Sequence, residues 1–73
     1  MNKIKIIILP EKVKQDLLNK HNKVCNTNYK LTDIKNIISY KDNTRLIDLI
    51  EIVFKDYTKQ IFKKDTLEID NFI

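Results

Sequence analysis

The spacing of hydrophobic positions changes along this chain. Residues 3–9 (KIKIIIL) alternate for part of their length and are rich in β-branched side chains, which predicts a strand. Pro10 suits the first turn of a helix, and Glu11 suits the positive end of its dipole. Val13, Leu17, Leu18 and then Val24 or Cys25 recur at helical spacing, with Lys12, Lys14, Gln15, Asn19 and Lys20 on the other face, predicting a helix over about 10–22. The asparagine-rich stretch 19–29 breaks it. Thr32 is a good cap for a second helix over 32–41, whose apolar stripe is Leu31, Ile34, Ile37, Ile38 and Tyr40. Asn43 or Thr44 caps a third helix over 44–64.

The run LIDLIEIVF, residues 46–54, could be a strand or part of that third helix. Its polar residues favour the helix. Asp48, Glu51, Lys55 and Lys59 lie three and four apart, one stripe on a helix and no coherent face on a strand. Glu51 and Lys55 are also a favourable i,i+4 pair. The expected fold class is therefore mainly α with one N-terminal strand, in the order β-α-α-α, as a single domain over residues 1–73. The tail 65–73 is acidic, with Leu67, Ile69 and Phe72 available to dock.

Length changes the reading of these elements. A chain of 73 residues builds a marginal core, yet 42% of its residues are hydrophobic. An aliphatic strand on its own exposes backbone groups and invites aggregation. Both points predict a homodimer, with the opening strand paired to the same strand of a second copy. No apolar run approaches the ~20 residues of a membrane span. The opening apolar stretch is too short for a signal peptide and leads into Pro-Glu-Lys without a small-residue cleavage site. Cys25 is the single cysteine, which fits a reducing cytoplasm and a plain buried thiol.

The net charge of +4 is unevenly spread. Residues 1–30 hold seven lysines against Glu11 and Asp16, net +5; residues 31–73 hold seven basic and eight acidic residues, net −1. One-sided basicity suggests a polyanion partner, of which nucleic acid is the commonest for a cytoplasmic protein; solvated lysine faces are the alternative. Catalytic chemistry finds no support. Glycine is absent, so phosphate-cradling loops are excluded; Ser39 is the one serine, and the acids are scattered. His21 and Cys25 lie four apart, but two ligands do not make a zinc site. No enzyme, metal or cofactor is expected.

The segments ILPEKVKQDLL and NTRLIDLIEIVFKDY together resemble the ribbon-helix-helix family of DNA-binding repressors. An intervening helix makes the chain similar to three-helix variants of that family found in small archaeal spindle-shaped virus proteins, which would place it in a host cytoplasm. The resemblance implies two strands paired across a two-fold axis, their ribbon in the major groove, and phosphate contact at the start of the last helix. Burying Lys5 is costly, so Ile4, Ile6 and Ile8 are expected inward and Lys3, Lys5 and Ile7 outward toward DNA. Lys12 and Lys14 extend the basic footprint, and Asn43, Thr44 and Arg45 clamp a phosphate at the third helix start. Lysines deliver charge more than base readout, so double-stranded DNA binding with weak sequence specificity is expected. The alternative is a dimeric protein-interaction module, antitoxin-like or host-factor-binding, in which the inserted helix and acidic tail meet another protein.

Overall fold

The computed structural model of the protein describes residues 4–70. Strand β1 (Lys5–Ile6) leads through Pro10 into helix α1 (Glu11–Cys25). A single 3₁₀ turn (Leu31–Asp33) then opens β2 (Ile34–Asp42), β3 (Ile47–Phe54) and β4 (Lys59–Lys63). The strands form one antiparallel sheet in the order β1-β2-β3-β4. Helix α1 buries Leu17 and Leu18 against Ile37, Ile50, Ile52, Phe54 and Phe62 on one face of that sheet.

This architecture overturns the mainly α fold class and the ribbon-helix-helix resemblance. The strand that should have crossed to a second copy pairs with β2 of its own chain, Lys5 beside Ser39 and Ile6 beside Ile38. The expected helices over 32–41 and 44–64 are β2 and the β3–β4 hairpin, so no inserted helix is available to meet a protein partner.

Each misreading has a physical cause. In β2 the register with β3 shifts between Ile34 and Asn36, leaving Lys35 as an extra residue. That bulge puts Ile34 and Ile37, three apart, on the same core-facing side, which imitates helical spacing. In β3 both faces are apolar, with Ile50, Ile52 and Phe54 toward α1 and Ile47, Leu49 and Val53 away from it, so the alternation is hidden. The stripe Asp48, Glu51, Lys55 and Lys59 spans two strands and the turn between them, and never lies on one element.

The first helix is the element read correctly, and it runs one turn further than expected, to Cys25. Asn26 ends it in the left-handed conformation, φ 54°, with its N–H bonded to Asn22 O.

Turns in a glycine-free chain must use other residues where φ is positive, and here they are Leu46, Tyr57 and Leu67 as well as Asn26. The β3–β4 turn places Tyr57 N–H on Phe54 O and Phe54 N–H on Thr58 O, a type I turn followed by a left-handed residue, with Tyr57 at φ 69° where glycine is usual. Asp56 Oδ1 accepts from Thr58 N–H at 2.9 Å and fixes the loop.

The phase of the opening strand is also reversed. Ile7 and Leu9 pack against the core, while Ile4, Ile6 and Ile8 are 65%, 73% and 94% exposed. Lys5 shares the helix-side face yet stays exposed at the sheet edge, so the cost of burying it does not arise.

Candidate interaction surface

Helix α1 covers one face of the sheet; residues of alternate register carry the other. Across the four strands one row reads Ile6, Ile38, Glu51 and Ile61. Beside it lie Tyr40, Leu49 and Lys63, then Asn36, Val53 and Lys59. Leu49 is 3% exposed but stands outside the core cluster, because it points away from α1. Ile38, Tyr40, Val53 and Ile61 are half-buried. This face is an apolar sheet surface interrupted by one carboxylate at its centre and bordered by lysines on β4.

Burial pushes the Tyr40 phenol above its ordinary value, and the carboxylates of Glu51, Asp70 and Asp42 push the same way.

The two sheet edges differ. Beside β4, residues 68–70 complete the edge: Phe62 bridges Ile69, Lys63 N–H donates to Glu68 O, and Asp70 N–H donates to Ile61 O. Strand β1 has β2 on one side and, among the described residues, no strand on the other. Its exposed isoleucines sit at that edge.

The residues expected to contact DNA do not converge. Lys3 lies outside the described residues. Lys5 and Lys12 are exposed, Lys14 is half-buried, and Ile7 packs inward. Asn43 and Thr44 are exposed on the β2–β3 hairpin, with no helix start there to supply oriented N–H groups. Because β1 runs antiparallel to β2, that hairpin and the start of α1 lie at opposite ends of β2. Arg45 is already engaged: Nη1 and Nη2 donate to Asp70 at 3.0 and 2.8 Å, and Nε donates to Asp42 at 2.8 Å. Those bonds raise the Arg45 pKa and hold Asp42 below the usual carboxylate range.

Cys25 departs from the expected buried thiol, while His21 is a buried histidine with a hydrogen-bond partner. The imidazole is buried between Tyr29 and Phe54, and the thiol is exposed. Gln60 Nε2 donates to Ile61 O, so its Oε1 accepts the His21 Nδ1 proton at 2.6 Å. That bond occupies the nitrogen nearest the thiol, 3.6 Å from Sγ, so the pair is not a nucleophile and its base. Among the described residues no group of three potential ligands gathers to hold a metal.

A cleft of about 580 Å³ lies between Thr27, Tyr29, Asp33 and Asp56. Three of its polar side chains are engaged locally: Tyr29 OH donates to Asp56, and Asp33 accepts from Lys30 N–H. The Tyr29 bond holds the Asp56 carboxyl below its ordinary range. Among the described residues no helix is long and apolar enough to cross a membrane.

Comparison with protein-family models, with curated proteins and with solved structures found no match.

Proposed function

We propose that the protein is a non-catalytic, self-associating interaction module that works as a homodimer. The observation that carries this reading is the opening strand: three isoleucines, 65% to 94% exposed, alternate along a sheet edge that has no neighbour among the described residues. Such an edge presents unpaired backbone groups that a second strand can satisfy. Arrangement of the polar groups supports the absence of catalysis, because the His21, Arg45, Asp56 and Tyr29 side chains bond to one another or to structural partners.

Sedimentation equilibrium from micromolar concentration upward tests the reading. A mass of two chains is expected; a single-chain mass at every concentration overturns it.

Duplex DNA is a second reading. It is favoured by the excess of lysine in residues 1–30 and by the exposure of Lys5 and Lys12 around the β1–α1 junction. An anisotropy titration at two salt concentrations tests it. Binding that weakens steeply with salt and with Lys5→Glu supports DNA contact, and no binding at low salt removes it.

A further inference from the structure

We infer that the two copies join edge to edge, β1 against β1 in antiparallel register, with the two-fold axis passing beside Ile6. This rests on the self-association reading and specifies its geometry.

The backbone directions come first. Ile7 N–H donates to Ile37 O at 2.9 Å, so the polar groups of Ile7 face β2. In an antiparallel ladder the groups of alternate residues turn the other way, which aims those of Ile4, Ile6 and Ile8 at the open edge. The same three residues carry the exposed side chains, all toward the uncovered face. One segment therefore presents both a hydrogen-bonding edge and an apolar stripe.

Symmetry then selects the register. An axis at Ile6 sets Ile6 opposite Ile6 and Ile4 opposite Ile8 of the second copy, aliphatic against aliphatic throughout. Lys5 falls opposite Ile7, so no ammonium faces another directly. An axis at Lys5 would oppose Lys5 to Lys5. An axis at Ile7 would oppose Ile4 to Pro10, which has no N–H to give. The Ile6 register avoids both faults and joins two four-stranded sheets into one of eight strands, with both helices on the same side.

Single-cysteine variants in a Cys25→Ser background test this. Hydrogen-bonded antiparallel partners lie ~5.5 Å apart at Cα, inside the range a disulfide spans. Under mild oxidation Ile6→Cys is expected to cross-link to itself on the order of 100-fold faster than chance collision, because paired thiols meet at millimolar effective concentration. Ile4→Cys and Ile8→Cys are expected to cross-link to each other when mixed, and slowly when alone. Each of these side chains is exposed, and circular dichroism checks that the variants fold. A dimer by mass in which Ile6→Cys cross-links no faster than Ile8→Cys alone overturns the register and leaves self-association standing through another surface. A single-chain mass overturns self-association itself.

Discussion

Arg45 grips Asp70 with both terminal nitrogens, at 3.0 and 2.8 Å, and so ties the β2–β3 hairpin to the chain beyond β4. The Asp70 carboxylate is 6% exposed, and the Arg45 Nε reaches back to Asp42 at 2.8 Å. One cation thus bridges two carboxylates, which fixes the segment that completes the β4 edge. An arginine that reads from sequence as an anion clamp has its anions within its own chain.

That network sets an acid response. The Asp42 pKa is lower in the folded chain than in the unfolded one, through the hydrogen bond from Arg45. The unfolded chain therefore binds its proton first on acidification. The stabilisation is present above the unfolded carboxylate value of about 4 and is lost as pH falls through the lower folded value. Thermal midpoints measured across the acid range should fall more steeply for the natural chain than for Arg45→Met. Equal slopes would remove Arg45 as the cause.

Leu46 is 72% exposed and sits at φ 58°. The left-handed conformation costs an L-residue roughly 1–2 kcal/mol, and asparagine tolerates it better. Leu46→Asn should raise stability by about 0.5–1 kcal/mol, read as an increased denaturation midpoint. Tyr57, at φ 69°, should gain less from Tyr57→Gly, because its ring lies under Lys35 Nζ at 4.6 Å and that contact is lost.

Neighbouring isoleucines on β1 should respond in opposite ways. Ile7 packs on the core and Ile8 is 94% exposed. Ile7→Ala should lower the unfolding free energy of the single chain, from urea titrations below the concentration at which copies associate, by an amount approaching the ~2–5 kcal/mol of a buried truncation. Ile8→Ala, measured the same way, should leave it within about 0.5 kcal/mol, because Ile8 is exposed until a second copy covers it. The reverse order would restore the phase in which Ile4, Ile6 and Ile8 point inward.

Gln60 holds the one proton that the buried His21 ring donates, at 2.6 Å. Gln60→Leu strands that N–H among Tyr29 and Phe54 and should destabilise the fold by about 1–3 kcal/mol. Chemical denaturation of the variant measures it. The ring nitrogens by NMR should show the Nδ1–H tautomer in the natural chain.

Local chemistry that acts within a few residues was legible in the sequence. Pro10 and Glu11 start α1, and its apolar face is Val13, Leu17 and Leu18 as the spacing indicates. The asparagine-rich stretch ends it at Asn26, which accepts a positive φ. A strand within residues 3–9 was legible too, but not its facing: Ile4, Ile6 and Ile8, read as inward, are the exposed ones. Tertiary structure decided the rest. Whether Ile34, Ile37 and Ile38 form a helical stripe or a bulged strand depends on β3 lying alongside, and β3 carries apolar residues on both faces, with Ile50, Ile52 and Phe54 toward α1 and Leu49 and Val53 away from it. Which side of β1 turns inward was settled by where α1 packs, and the Arg45 cation is engaged by an aspartate 25 residues away. Helix starts and stops depend on neighbours within a turn or so, whereas strand pairing, facing and ion pairing depend on residues that only folding brings together.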